Sequence, residues 1–314
     1  MFSYIMRRLG IVVITVIGAI ILLFILFQFM PGDMATILLG PRASEELVES
    51  YRERMWLDRP VYMQIGRFLF NVLRGDLGTD VLNHRPVSWL IMQVLPHTII
   101  LAVSAIFIAC AIGIPLGVFS AANRGSFLDT LTGILSISMI TTPHFLAGLF
   151  ALLIFAVHLG WFPAMGGGES GDILDQLRHL VLPAFALALG WIGYIARLMR
   201  ATVLEELGED YVRTARAKGL PERLVLYKHV LRCALVPVIA VLGVGFGNLM
   251  GGAVLIEIVF HRPGLGYLIY NAIETRNFPV LQGGLIVAVF LYAMANFVAD
   301  LSYSFVDPRV REDE

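Results

Sequence analysis

One short motif in the chain has the spacing of a catalytic serine. Gly168-Glu169-Ser170-Gly171 matches the Gly-x-Ser-Gly arrangement that presents a serine nucleophile in membrane-embedded proteases. Such a serine needs a partnering base, and the last apolar run, where that base would stand, has no histidine from Phe278 to Asp307. We therefore predict no protease activity and interpret the segment, with Gly166-Gly167-Gly168, as a flexible external turn.

A lone acid, Glu257, follows Leu255 and Ile256 at the outer end of another apolar run. Two interpretations stay open. The carboxylate reaches water at the membrane interface, or it borders a translocation path and attracts a substrate amine or cation.

The histidines show no close ligand spacing, so the sequence predicts no metal site. His97, His144 and His158 lie in or at apolar runs. We interpret them as packed or helix-edge residues rather than as members of a proton relay.

Nucleotide hydrolysis is excluded by the lysines. A Walker A loop requires Gly-Lys, and the only lysines are Lys218, which follows Ala217, and Lys228, which follows Tyr227. The chain is therefore predicted to be non-catalytic and to hold no cofactor, so any ATP used must be hydrolysed by a separate protein.

Composition predicts an integral membrane protein. The 314 residues are 58% hydrophobic and 15% charged, with a mean hydropathy of +0.78, far from globular averages. Charge-free runs long enough to cross a hydrocarbon core of about 30 Å are Leu9 to Met30, His97 to Ala122, Leu131 to Leu159, Leu180 to Ala196, Cys233 to Ile256 and Phe278 to Ala299. The predicted fold is all-α with six transmembrane helices.

Basic residues predict the orientation of these spans. Arg7 and Arg8, Arg124, the basic residues from Arg197 to Arg232, and the pair Arg309 and Arg311 all fall on one face. By the positive-inside rule this face is cytoplasmic, which places both termini inside and makes the first run a retained anchor.

The chain divides into an anchor (1–30), an extracytoplasmic segment (31–95), a core of five further spans (96–306) that contains a cytoplasmic loop (197–232), and a cytoplasmic tail (307–314). In the external segment, Ser44 to Trp56 is predicted to be helical because Ser44 can cap it and acids occupy its first turn. We expect this segment to form a small subdomain.

Ion-coupled secondary transport is the alternative from another class. Such carriers place ionisable groups near mid-membrane, but no run has an acid, Lys or Arg at its centre. Net charge of −1 and its distribution give no support for nucleic-acid binding, and Cys110 and Cys233 form no disulfide framework.

The basic loop is predicted to contain two short helices. Leu204, Leu207, Tyr211 and Ala215 would share one stripe of the first. Gly219 is placed as its stop and Pro221 as the first residue of the second. The second helix would carry one apolar face made of Leu224, Tyr227, Leu231 and Ala234. Small side chains at Ala215 and Gly219 would let a partner approach closely.

Glycines in the fifth run recur at every fourth residue, at Gly243, Gly247 and Gly251. Helix packing is the preferred interpretation. The same face could border a translocation path, to which Gly245, Asn248 and Gly252 would add polar or backbone groups. Gly113 and Gly117, around Pro115, predict a bent and tightly packed second span.

Short motifs along nearly the whole chain carry a family resemblance. They are Pro31-Gly32-Asp33, Leu57-Asp58-Arg59-Pro60 with Gln64, Gly75-Asp76-Leu77-Gly78, Arg85-Pro86-Val87, Tyr211-Val212-Arg213-Thr214-Ala215-Arg216-Ala217-Lys218-Gly219-Leu220, Pro263-Gly264-Leu265-Gly266, Asn277-Phe278-Pro279-Val280 and Asp307-Pro308-Arg309. In this order and spacing the chain resembles B-type permease subunits of ABC importers of the dipeptide, oligopeptide and nickel branch. Arg213 stands where the general family pattern has glutamate.

The resemblance implies a type I importer permease fold in a bacterial inner membrane. It implies that a coupling helix contacts an ATPase subunit through Tyr211, Arg213, Thr214, Ala215, Arg216, Gly219 and Leu220. Partners would be a second related permease, two ATPase subunits that bind ATP and Mg²⁺, an extracytoplasmic solute receptor that docks on external loops, and membrane lipid. Peptides are the leading substrate, with nickel or another chelated metal, and glutathione, as alternatives.

Overall fold

The structure is a computed structural model that describes residues 2–29, 44–56 and 58–306. Its helices are α1 (Phe2–Gln28), α2 (Glu45–Met55), α3 (Val61–Leu73), α4 (Val87–Ala122), α5 (Phe127–Thr141), α6 (His144–Ala151), α7 (Ile173–Glu206), α8 (Asp210–Ala217), α9 (Leu231–Val259), α10 (Leu265–Glu274) and α11 (Phe278–Val306). Leu152–His158 and Val225–Val230 are π-helical, and Glu222–Leu224 is one short turn. These ranges contain no strand, which confirms the all-α class. Pro31-Gly32-Asp33, Leu57 and Asp307-Pro308-Arg309 lie outside the described residues.

Five helices are long and apolar enough to cross a membrane, and a sixth span results if α5 and His144–His158 count as one bent pair. The two halves of that pair meet at 103°. Pro143 explains the break, because its ring removes a backbone N–H and disfavours a helical conformation at Thr142, which has ψ 120°. The third predicted span, Leu131 to Leu159, is therefore broken at Pro143, and it counts as one span only if both halves are taken together.

Two predicted spans are parts of longer helices. α4 begins at Val87 rather than at His97, and α7 extends from Ile173 to Glu206, beyond the apolar run from Leu180 to Ala196. Asp172 fixes the start of α7, since its carboxylate accepts hydrogen bonds from the amides of Leu174 (2.9 Å) and Asp175 (3.1 Å).

One compact unit comprises His97–Arg262 and Ala295–Glu314. α7 runs through its core, and glycines bring neighbouring helices against it. A Cβ on Gly117 would lie 2.5 Å from the carbonyl oxygen of Ala196, and one on Gly113 would lie 2.9 Å from that of Ile192. Only glycine permits backbones to approach this closely, so the predicted tight packing of the second span is confirmed.

The other compact unit comprises Met1–Pro96 and Pro263–Met294. Its buried apolar cluster consists of Val87, Ile91, Leu265, Ile269, Ala272 and Val280. The predicted helix from Ser44 to Trp56 is confirmed by α2, which has Glu45 and Glu46 in its first turn. This unit joins parts of the chain that are distant in sequence, and the sequence boundaries given above for the external subdomain stay a prediction.

Candidate functional site

The basic loop begins where α7 ends and is shaped by one glycine. α8 stops at Ala217 because Gly219 has φ +75°, a left-handed conformation that glycine adopts without steric cost. The amide of Gly219 donates to the carbonyl of Arg216 (2.9 Å), and that of Leu220 donates to Ala215 (3.4 Å). Pro221 then caps the turn Glu222–Leu224. The predicted stop at Gly219 is confirmed, but the next turn begins at Glu222, one residue after the predicted first residue Pro221.

α8 has one buried and one exposed face. Val212 is fully buried and Ala215 is 7% exposed, and both pack into the core of this chain. The exposed face is formed by Tyr211, Arg213, Thr214 and Arg216. The prediction that Ala215 lets a partner approach closely is wrong, because its methyl group already contacts the protein's own interior.

The predicted stripe from Leu204 to Ala215 is also wrong. A turn separates α7 from α8, in which the amide of Gly208 donates to the carbonyl of Glu205 (2.9 Å). This break shifts the phase of the second helix, so that Val212 rather than Tyr211 faces inward. The exposed position of Tyr211 makes it available to a partner.

Side-chain pairs brace both ends of α8. The Tyr211 hydroxyl donates to Oε2 of Glu206 (2.6 Å), and partial burial, the Glu206 carboxylate and Cys233 raise the pKa of Tyr211. Past the other end, the Arg216 guanidinium donates to both carboxylate oxygens of Glu222 at 3.1 and 2.6 Å and lowers the pKa of Glu222. This fork spans the Gly219 turn and fixes the angle between α8 and the next turn.

The second predicted helix has a different inward face from the one expected. Leu224 and Tyr227 are exposed, whereas Val225, Leu226 and Val230 are buried. The π-helical segment Val225–Val230 causes the difference, because it winds more residues into each turn and rotates the following positions. Of the predicted face, Ala234 alone is fully buried.

An ionic cluster that sequence reasoning missed lies beside the carboxyl-terminal end of α7. Arg200 donates from Nε and Nη2 to the two carboxylate oxygens of Asp129, at 2.6 and 2.7 Å. The same carboxylate accepts from Ser120 Oγ (2.5 Å) and from the amide of Gly125 (3.0 Å). It thereby ties α4, α5 and the turn between them to α7, ten residues before α8 begins. The capping signature Ser126-x-x-Asp129 was the available sequence signal.

The glycines of α9 do not form one contact surface. A Cβ on Gly243 would lie 2.8 Å from Cβ of Ala299, and one on Gly252 would lie 3.2 Å from Leu187, whereas nothing lies near Gly251. Gly247 is buried. The packing interpretation is thus confirmed for Gly243 and does not apply to Gly251.

Two residues predicted to line the translocation path remain exposed. Asn248 and Gly251 are exposed and lie on one side of α9, together with Leu255. Gly245 is excluded from such a face, because the Trp191 ring lies directly against it.

Glu257 is fully buried, so the expectation that its carboxylate reaches interface water is wrong. Thr98 donates a hydrogen bond of 2.6 Å to its Oε1. Arg262 is also buried, and burial lowers the pKa of this guanidinium although the Glu257 charge acts against that shift. Among the described residues, Nε and Nη1 of Arg262 have no hydrogen-bond partner.

Several resemblance motifs meet around another buried carboxylate, Asp80. Asn277 donates to Oδ1 of Asp80, and the amide of Leu82 donates to the same oxygen (2.9 Å). The amide of Val87 donates to the carbonyl of Gly78 (2.9 Å). Burial alone would raise the pKa of Asp80, but the hydrogen bonds from Leu82, Asn277 and Asn83 outweigh burial, and the pKa falls below its ordinary value.

In the part of the chain that the structure describes, no group of three or more His, Cys, Asp or Glu side chains is placed to hold a metal ion. His144 begins α6 at the break after Pro143, and its ring packs against Gly190 and Gly252. It is therefore a packed residue at a helix junction, as the sequence predicted.

The described helices define a multi-pass membrane protein in which the short helix α8 lies outside the apolar spans. The chain belongs to the family of binding-protein-dependent transport system inner membrane components, which matches residues 113–312, and the N-terminal region of such membrane components matches residues 1–102. Family membership makes it a component of an ATP-dependent import system rather than a self-sufficient carrier.

Curated relatives match over nearly their full lengths. A putative peptide transport system permease protein of Brucella abortus is 42% identical, covering 100% of both chains. The probable D,D-dipeptide transport system permease protein DdpB of Escherichia coli is 39% identical over 98% of this chain and 97% of its own. The oligopeptide transport system permease protein AppB of Bacillus subtilis is 38% identical over 99% of each.

A solved structure confirms the fold. A chain of the MetNI methionine ABC transporter, in an inward-facing conformation, has a TM-score of 0.57 and is 21% identical, covering 70% of this chain and 97% of its own. The chain therefore has the importer permease fold predicted from its sequence.

Proposed function

We propose that this chain is the permease subunit of an ATP-driven importer of dipeptides and oligopeptides. It forms half of a translocation path and receives mechanical work through α8. The observation that carries this proposal is the construction of α8, an amphipathic helix with exposed Tyr211, Arg213, Thr214 and Arg216, anchored from below by Val212. The printed names of the relatives support peptides as the substrate class.

The partners follow from this role. A second related permease completes the path, two ATPase subunits bind ATP and Mg²⁺, and an extracytoplasmic receptor delivers the solute. The termini and α8 lie in the cytoplasm of a bacterial cell, and the loops 166–178 and 261–277 face the receptor. Closure of the ATPases moves α8 as a rigid body and switches the path between its two sides.

Crosslinking tests the role of α8. In the assembled complex, Arg213→Cys and Thr214→Cys should form crosslinks with an ATPase subunit, and the yield should change when nucleotide binds. Val212→Cys and Ala215→Cys are matched controls, because their side chains are buried in this chain. The proposal would be overturned if neither Arg213→Cys nor Thr214→Cys formed a crosslink with an ATPase subunit.

Uptake by proteoliposomes tests the substrate class. With receptor, both permeases, ATPases and ATP present, labelled dipeptides and tetrapeptides should accumulate, and omission of any partner should abolish accumulation. Nickel chelates and glutathione serve as the alternative substrates. Uphill uptake by this chain alone would instead indicate an ion-coupled carrier.

A further inference from the structure

The helix α3 has an apolar face that the described chain does not cover. Val61, Ile65, Phe68, Leu69 and Val72 are half-buried on one side. On another side, Phe70 is 53% and Leu73 86% exposed, and Tyr62 and Met63 are exposed as well. At 100° per residue, these four side chains lie within an arc of about 100°, too many for a helix in water.

Contact with α1 fixes the depth of α3 in the membrane. The rings of Phe24 and Phe68 meet edge to face with centroids 5.5 Å apart. Phe24 lies two residues before Leu26, where the apolar membrane span of α1 ends, and four residues before the polar Gln28, which is about 6 Å along the helix axis. α3 therefore lies beside the end of a span, where hydrocarbon meets the headgroups, whichever way the chain is oriented.

Two arginines line one edge of the exposed apolar face. At 100° per residue, Arg67 and Arg74 lie within about 40° of Met63. The Arg74 guanidinium stacks 4.0 Å from the ring of Phe70, and that of Arg67 stacks 4.3 Å from Trp56. Both side chains are exposed, and no ion pair joins either to a carboxylate in the described residues.

We infer that α3 lies in the membrane interface and binds anionic phospholipid. Tyr62, Met63, Phe70 and Leu73 enter the acyl region, while Arg67 and Arg74 contact phosphate groups. Apolar side chains beside a basic edge are typical of helices that lie in this plane, and stacked arginines present their free donors to phosphate. The position of α3 beside the end of α1 and the basic edge of its exposed face favour lipid over a protein partner.

Photocrosslinking tests where the apolar face lies. In native membranes that contain the assembled importer, p-benzoylphenylalanine at Leu73 or Tyr62 should give adducts with the mass of a phospholipid. The same group at Asn71, on the polar side of α3, is the matched control and should give at least 5-fold fewer. Adducts at Leu73 with the receptor or the second permease, or no adducts at either apolar position, would overturn the inference.

A second measurement tests the arginines. Native mass spectrometry of the purified complex should show preferential retention of phosphatidylglycerol over phosphatidylcholine. Each of Arg67→Gln and Arg74→Gln should lower that preference about 5-fold, the factor expected for one basic residue at an anionic surface. Arg59→Gln is the control, because Arg59 already pairs with Asp58 at 3.1 Å. Equal retention in all three variants would disprove headgroup binding, and neither test depends on peptide transport.

Discussion

At the scale of single residues, the Asp129 carboxylate, in the core that contains α7, accepts hydrogen bonds from Arg200, Ser120 and Gly125. Asp129→Asn removes the charge and leaves the guanidinium without its ionic partner. Because the Arg200 side chain is 35% exposed and regains some water, we expect a loss of about 1–3 kcal/mol. Thermal unfolding of the purified permease, separated from its ATPase subunits, measures it.

The pair Arg213 and Asp210 offers the control for that change. It is also an arginine–carboxylate contact (3.2 Å), but its side chains are 75% and 93% exposed. Exposed pairs contribute about 0–1 kcal/mol, so Arg213→Gln should barely alter unfolding. Equal losses in the two variants would contradict the structural role assigned to Asp129.

Asp80 should make its own loop sensitive to acid. Its pKa is lower in the folded protein than in the unfolded chain. Its stabilising contribution is therefore complete above the ordinary pKa of aspartate, about 4, and is lost as the pH falls through the lower folded value. Hydrogen exchange of residues 75–87, corrected for intrinsic rates, should accelerate over this window. In Asp80→Asn, exchange of these residues should no longer accelerate in acid. If it still accelerates, another group causes the acid sensitivity.

At the scale of elements, Gly219 determines where α8 ends. A Cβ at this position meets nothing within 4 Å, so Gly219→Ala acts only through its φ of +75°. That conformation costs an ordinary residue about 1–2 kcal/mol. We expect lower peptide uptake and a lower crosslink yield from Thr214→Cys. Gly219→Asn should retain more uptake and a higher crosslink yield than Gly219→Ala, because asparagine tolerates a left-handed backbone conformation. Equal uptake and equal yield in the two variants would contradict this argument.

The sequence predicts those elements whose conformation is set by residues close by in the chain. Five of the six apolar runs and the Gly219 stop depend on nearby residues, and these were predicted correctly. The π-helical segment Val225–Val230 leaves no mark in hydrophobic periodicity, so the inward face of that segment was predicted wrongly. The break at Pro143 had a local signal, but the uninterrupted apolar run on both sides of it concealed the change of direction.

The candidate site was less predictable than the fold. Its exposed positions on α8 came from the family motif, but the burial of Ala215 depends on packing against distant residues. Arg200 and Asp129 are 71 positions apart, and nothing in the local sequence joins them. The same holds for Asn277 and Asp80, which are 197 apart. Long-range polar contacts require the folded arrangement of the helices.

At the scale of the whole molecule, the proposed orientation gives a labelling pattern. Glu169→Cys, in the loop before α7, should react with an impermeant maleimide in spheroplasts. Thr214→Cys should react only in inside-out vesicles, because α8 is placed in the cytoplasm by its basic residues. Both positions are exposed, so burial cannot explain a difference. The opposite pattern would invert the chain and exclude α8 from contact with the ATPases.

Assembly should also give a role to the open side of α9. Asn248 and Gly251 are exposed there, while Ala253 of the same helix is fully buried. A side-chain amide in hydrocarbon without a hydrogen-bond partner costs about 4–8 kcal/mol, so Asn248 must face water or a polar group of the second permease. If Asn248 lines the path, Asn248→Cys in the complete importer should react with a small hydrophilic thiol reagent. Added substrate should slow this reaction at least 5-fold, and Ala253→Cys should stay unreactive. A reaction that occurs only in the isolated chain would place Asn248 in the contact between permeases and remove it from the path.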